Sequence, residues 1–239
     1  MTYNINKSRD WLFKESSRQK IKELILEVDA DVVFFQEFSG DMKFKSTDHE
    51  LESFADEIWS HFAYGKNSVY EEKHHGNVIL SKYPILSWKN IDISTNRFEK
   101  RGMLCVRLII PIEEKNQYVD LYCVHLDLSQ LGRNRQISKI IKEVSTTSAR
   151  VPYIIAGDFN DWNLKLDKKI NKSLDVVECN AVMNNNKLVN TFPSFFPFLA
   201  LDRVYVSGFF PDRSYKYKAA RKLLLSDHLP VVTQVTLDR

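Results

Sequence analysis

Short apolar runs recur along the chain, and their length limits the fold more than any other feature. The runs at 32–35, 78–80, 104–110, 118–124, 153–156, 201–206 and 231–235 are rich in Val, Ile, Leu and aromatic residues. Each is long enough for a buried strand, and none approaches the ~18 residues of a membrane-spanning helix. Met1 leads at once into Thr2-Tyr3-Asn4-Ile5, which reads as a strand already under way, as it would if a preceding segment had been trimmed.

Helical spacing occurs in three places. Ile21, Leu24, Ile25 and Val28 form one face just before the run at 32–35; Leu51, Phe54, Ala55, Ile58, Trp59 and Phe62 suggest a second; Ile137, Ile140, Ile141 and Val144 give a third. All three faces read as core. Strands outnumber helices, so the pattern predicts a layered α/β fold, two sheets packed face to face with helices outside. At 239 residues and 44% hydrophobic composition the chain can bury a full core. No repeat, Pro- or Gly/Ser-rich linker or low-complexity tract marks a boundary, so residues 1–239 are expected to form one domain.

Lys plus Arg number 34 against 31 Asp plus Glu, a net charge of +3 that is too weak a field to argue nucleic-acid binding. The three cysteines are an odd number without metal-type pairing, and Cys105 and Cys123 lie in apolar runs, which fits a reduced interior. With no secretory-type start, the expectation is a soluble, cytoplasmic protein. Zinc would want clustered His or Cys, and the adjacent His74-His75 cannot easily chelate one ion together.

Four polar clusters stand where an apolar run stops. They are Gln36-Glu37, His125, Asp158-Phe159-Asn160 and Asp227-His228. Strand ends converge in packed sheets, so polar groups placed there can share one cleft. The residue types suit phosphodiester cleavage, which needs a hard cation on a phosphate oxygen, an oriented water and groups that meet developing negative charge. Mg²⁺ takes oxygen ligands and keeps several waters, so a set as sparse as Glu37 and Asp227 suffices.

Taken in order, Thr2-Tyr3-Asn4-Ile5, Gln36-Glu37, Gly76-Asn77-Val78-Ile79-Leu80-Ser81, Val124-His125-Leu126, Gly157-Asp158-Phe159-Asn160, Leu201-Asp202-Arg203-Val204 and Ser226-Asp227-His228-Leu229-Pro230 resemble the motifs of the endonuclease/exonuclease/phosphatase superfamily. The resemblance spans nearly the whole chain and looks nearest to the sphingomyelinase-like and uncharacterised bacterial branches. It implies a four-layered α/β sandwich like that of pancreatic deoxyribonuclease, with mainly antiparallel sheets, and a Mg²⁺-dependent (or Mn²⁺-dependent) phosphoesterase. Glu37 would bind the metal, with Asn4 beside it and Asp227 contributing directly or through water. Asp158 and Asn160 would orient or activate the attacking water. His228, held by Asp202, would assist proton transfer or stabilise the pentacovalent phosphate, and His125 would contact a phosphate oxygen. A carboxylate beside an imidazole fixes its tautomer and favours its charged form. Asn77 lies within a motif and Arg101 could meet substrate phosphate. Two departures stand out: Asn6 occupies a position where sphingomyelinase-like relatives often carry histidine, and Arg203 follows Asp202 where other branches place an aromatic residue or histidine.

Plainer readings exist for each residue. Glu37 could be a solvated carboxylate, Asp158 a turn or N-cap residue, His125 and His228 half-buried histidines, and Arg101 a surface arginine. His74-His75 are expected to be exposed, and Arg133 and Arg135, at the start of the third helical face, to point at water. Cys105 and Cys123 read as core, and no Gly-x-Ser-x-Gly elbow occurs, so a nucleophilic hydrolase is the poorer alternative. A non-catalytic scaffold that grips a phosphate ligand or a protein partner is the other. The segment 191–199 holds four phenylalanines and two prolines. It reads first as a rigid loop turning its rings into the core, and second as an apolar rim that dips into a membrane surface or stacks on bases. The expected substrate is a phospholipid, a small phosphodiester or nucleic acid, the first two favoured, and no obligate protein partner is expected.

Overall fold

The computed structural model describes residues 1–5, 15–41, 54–55, 58–70, 73–97, 99–112, 115–148, 150–223 and 225–238. Within them, strands β1 (Thr2–Asn4), β2 (Val32–Asp41), β3 (His61–Tyr70), β4 (Lys73–Ser81), β11 (Phe209–Lys216) and β12 (Val231–Leu237) form one sheet in the order β11-β12-β1-β2-β4-β3. A second sheet has the order β5-β6-β7-β8-β10-β9, from β5 (Ile85–Asp92), β6 (Gly102–Ile112), β7 (Lys115–His125), β8 (Tyr153–Asp158), β9 (Val177–Glu178) and β10 (Asp202–Ser207). Each sheet is antiparallel except at one pair, β1 with β2 in the first and β7 with β8 in the second. The α-helices with described bounds are α1 (Glu15–Val28), α2 (Gln130–Thr147), α3 (Leu166–Ser173) and α4 (Cys179–Met183), and a 3₁₀ helix covers Lys218–Leu223.

Successive strand residues point to opposite faces, so an inner strand sandwiched between a sheet and a helix must be apolar on both. Phe34, Ile79, Leu104, Val106, Leu121, Cys123, Ala156 and Val204 meet at the seam between the sheets. Their neighbours Val33, Phe35, Val78 and Leu80 face outward, against Ile21, Leu24 and Ile25 of α1. On the other flank Tyr122, Val124, Ile155 and Tyr205 pack against Ile137, Ile140 and Val144 of α2 and Leu166 and Ile170 of α3. The result is the layered α/β sandwich that the apolar runs predict, built of mixed sheets.

The structure departs from the sequence reading in several places. Of the second helical face, Phe54 and Ala55 are helical, Leu51 lies outside the described residues, and Phe62 belongs to β3, because the spacing straddles a helix and the strand after it. Arg133 does not face water. It is fully buried, donating to the carbonyl oxygens of Leu128 (2.6 Å) and Asp127 (3.3 Å) with its guanidinium 4.2 Å from the Trp162 ring. His74 is buried too, its Nδ1 hydrogen-bonded to the Tyr64 hydroxyl, since β4 is flanked by a strand on either side. Among the described residues, no helix is long and apolar enough to cross a membrane.

Candidate active site

Strand polarity gathers the polar clusters at one end of the sandwich. β1 and β2 run parallel, so Asn4, the last residue of β1, pairs with Gln36 midway along β2, and Glu37 follows. The pairing of β2 with β4 slips a residue between Phe35 and Phe38. In this bulge Glu37 takes φ 59°, a left-handed backbone that a non-glycine residue adopts only under constraint. Gln36 is turned inward, its amide donating to Thr2 Oγ1 (3.1 Å) and Cys123 Sγ (3.3 Å), while the Glu37 side chain keeps 19% of its surface exposed.

β7 and β8 also run parallel and end together, with His125 level with Asp158 and Asp202 of the antiparallel β10 level with Asp158 on the other side. Gly157, at φ 147°, permits this close approach, because a Cβ there would lie 1.9 Å from the Val124 carbonyl oxygen. The chain then turns on itself: Asp158 Oδ1 accepts from the Asn160 backbone N–H (2.9 Å), and the Asn160 side-chain amide donates to the Leu126 carbonyl (2.9 Å). Asn160 sits at φ 48°, a conformation that asparagine tolerates. Asp158 is thus both a turn residue and a site residue.

Asp158 Oδ2 is the hub of the site. Asn4 Nδ2 donates to it at 3.0 Å across the junction of the two sheets, His125 Nε2 lies 3.5 Å away and His228 Nε2 3.7 Å away. The same Asn4 amide lies 3.4 Å from Glu37 Oε1, and His125 Nε2 lies 3.8 Å from that oxygen. Burial and the neighbouring Asp202 carboxylate push Asp158 up to about 6, against the opposing pull of His228.

His228 Nδ1 donates to Asp202 Oδ2 at 2.8 Å, and the Thr191 hydroxyl donates to that same oxygen at 2.6 Å. Burial works against a charge on His228, but Asp202, Asp158 and Asp227 outweigh it and raise the imidazole to about 10. The ring packs against Phe192 at 4.9 Å between centroids. Ser226 fixes the approach to β12: its hydroxyl donates to the Asn4 carbonyl (2.6 Å) and accepts from the His228 N–H (3.0 Å), which ties the half-buried Asp227 to the end of β1. His125 is held differently, because Arg101 Nη1 donates to its Nδ1 at 2.9 Å. Arginine has no acceptor, so Nδ1 must be bare and the ring proton must sit on Nε2, facing Asp158 and Glu37. Glu99 pairs with the other arm of Arg101.

The structure therefore brings Glu37, Asn4, His125, Asp158, Asn160, Asp202, Asp227 and His228 to one end, with buried Arg101 behind His125. Asn77 is placed differently. It is fully buried at the seam, its amide donating to the carbonyls of Gly102 (2.9 Å) and Cys123 (3.2 Å), a brace between the sheets. The sequence reading missed Thr191 and Ser226, although both lie in stretches it singled out, because a hydroxyl that positions another side chain leaves no periodic mark. Asn6 lies outside the described residues.

Among the described residues, no three His, Cys, Asp or Glu side chains are grouped to hold a metal ion. The donors present are carboxylates and an amide, with Glu37 the accessible member and Asn4 orienting it, a sparse oxygen set that fits a hard divalent cation keeping much of its water. Burial pushes the Cys105 and Cys123 thiols up to about 12, so neither is poised as a nucleophile.

Comparison with known proteins bears on the fold and the family. The uncharacterised protein YbhP of Escherichia coli K12 is 34% identical over 254 residues, covering 99% of this chain and 95% of that protein. An endonuclease/exonuclease/phosphatase family protein from Leptotrichia buccalis superposes with a TM-score of 0.76 at 12% identity, over 99% of this chain and 98% of that one. The mannosyl-6-phosphatase Bt3783 of Bacteroides thetaiotaomicron gives 0.69 at 17% identity, over 99% and 98%. At such identities these two structures speak to the fold. A model of the Endonuclease/Exonuclease/phosphatase family matches residues 1–228, and the chain belongs to that family.

Proposed function

We propose that this protein is a divalent-metal-dependent phosphoesterase, acting on a phosphodiester by direct attack of water. The observation that carries this reading is the convergence on Asp158 Oδ2 of Asn4, His125 and His228 within 3.0–3.7 Å, with the exposed edge of Glu37 beside them. Mg²⁺, or Mn²⁺ in its place, would sit on Glu37 with Asn4 and Asp227 nearby, and there it would supply positive charge to a phosphate oxygen. The protein does the rest. Asp158, lifted to about 6, accepts a proton from the attacking water near neutral pH, with Asn160 holding the turn that aims it. The water oxygen forms the new P–O bond as the ester P–O bond breaks, and the leaving oxygen takes up a proton from solvent, to which Asp158 returns the one it accepted. His228 stays protonated through its ion pair with Asp202 and faces the negative charge that grows on the phosphoryl oxygens. His125, its tautomer fixed by Arg101, offers Nε2–H to the same group.

The test is a panel of plasmid DNA, RNA, sphingomyelin, glycerophospholipids, inositol phosphates and a chromogenic phosphodiester, assayed with Mg²⁺. Glu37→Gln and His228→Ala are each expected to lower kcat by about 10²–10³-fold. Glu37→Gln should also weaken Mg²⁺ binding in calorimetry. Turnover that survives EDTA and both substitutions would sink the mechanism.

A further inference from the structure

We infer that the loops around this site form a docking surface for the anionic face of a phospholipid bilayer, so that the site works on a phosphoester at the membrane surface. The segment 191–199 does not bury its rings. Only Phe192 turns in, onto His228, while Phe195, Phe196 and Phe198 are 66%, 71% and 59% exposed. The loop is nonetheless anchored at the site, because the Ser194 N–H donates to the Asp227 carbonyl (2.6 Å), the Ser194 hydroxyl to the Ser226 carbonyl (2.8 Å) and Thr191 to Asp202. Its phenylalanines are therefore held out beside the catalytic carboxylates.

Two further loops leave the same end of the second sheet and carry the same chemistry. Leu128 and Leu131 follow His125, and Trp162 and Leu164 follow Asp158, all of them exposed. The two loops are joined, since Asn163 donates to Gln130 (2.5 Å) and Arg133 lies against Trp162. Apolar side chains thus stand out from three segments at the site's end of the sandwich, Leu131 from the first turn of α2, and the segment bearing Trp162 and Leu164 is tied to the end of 191–201 by the Phe159 N–H, which donates to the Leu201 carbonyl (2.9 Å).

Two observations favour lipid over nucleic acid. Leucines offer no flat face to a base, whereas aliphatic and phenyl groups together suit an acyl-chain boundary. The charges agree: Arg97 and Lys100 on the loop tied to Asp127, Arg135 on α2, and Lys165 and Lys168 beside Leu164 are exposed, and no exposed Asp or Glu is described in 94–101, 126–135, 159–168 or 191–201. A basic collar around an apolar tip is attracted to an anionic leaflet.

The inference rests on the phosphoesterase reading for its substrate and on this surface alone for its binding. The full chain would be co-sedimented with vesicles of phosphatidylcholine alone and of phosphatidylcholine with about one third phosphatidylglycerol, without turnover being read. Wild type is expected to partition onto the anionic vesicles and to be released by high salt. The triple substitution Phe195→Ser, Phe196→Ser, Phe198→Ser should lower partitioning at least ~10-fold, Leu131→Ser with Leu164→Ser should also weaken it, and thermal melting should hold for both. Absence of wild-type binding to either vesicle would overturn the inference. So would vesicle binding unmoved by the triple substitution, or binding of a single-stranded oligonucleotide that the triple substitution abolishes. An inactive protein that binds vesicles would count against the phosphoesterase reading only.

Discussion

Individual residues set the proton inventory of the site, and they do so through pairings rather than exposure. His228 and His125 lie at similar distances from Asp158 Oδ2, but Asp202 gives the first a partner that favours charge, and Arg101 gives the second one that requires a bare Nδ1. Folding therefore raises the proton affinity of His228 from the ordinary 6.5 to about 10. A histidine raised in this way contributes stability that is complete below 6.5 and is lost as pH rises towards about 10. In EDTA, wild type is expected to lose roughly a few degrees of melting temperature between neutral pH and pH ~10, and Asp202→Asn should flatten that slope. An unchanged slope in the variant would show that His228 does not draw its charge from Asp202.

At the scale of elements, close packing of parallel strands aims the carboxylates. Gly157 lets β8 lie against β7 so that Asp158 emerges level with His125, and any side chain there meets the Val124 carbonyl at 1.9 Å. Gly157→Ala combines that clash with an unfavourable φ and is expected to destabilise the fold by about 3 kcal/mol or more, read as a lower urea midpoint. A full-stability variant would mean that the two strand ends can separate without cost. The bulge in β2 plays the matching part in the other sheet, since it is the extra residue that turns Glu37 out towards solvent while Gln36 stays in the seam.

Across the whole molecule, the seam between the sheets is continuous apolar packing braced by Gln36 and Asn77, and it carries the cysteines within it or directly behind it. Cys105, Cys123 and Cys179 are free and buried, and burial raises all three thiols. A thiol reagent added to the native protein is expected to leave them unmodified on the timescale that suffices for all three in denaturant. Rapid labelling of one thiol in the native state would locate a place where the layers part.

The chain alone determined the layers and the family to which they belong. Strands buried on both faces must be apolar throughout, which is why β2, β4, β6, β7, β8 and β10 stand out as runs; β12, buried only at Val231, shows through Val231, Val232 and Val235 alone. Glu37, His125, Asp158 and His228 are legible because they interrupt such runs. The strands that pass unread, β3, β5, β9 and β11, are the edges of the two sheets, where exposed and half-exposed positions break up the apolar pattern; of its described side chains β3 buries only Ala63 and Tyr64. Tertiary structure alone decided what depends on contacts far apart in sequence. It spent Asn77 on the seam, set Arg101 on His125 and Thr191 on Asp202, buried Arg133 and His74, and turned three phenylalanines outward. Periodicity reports which side of an element is buried; what a polar or aromatic side chain meets there is fixed by partners that periodicity does not see.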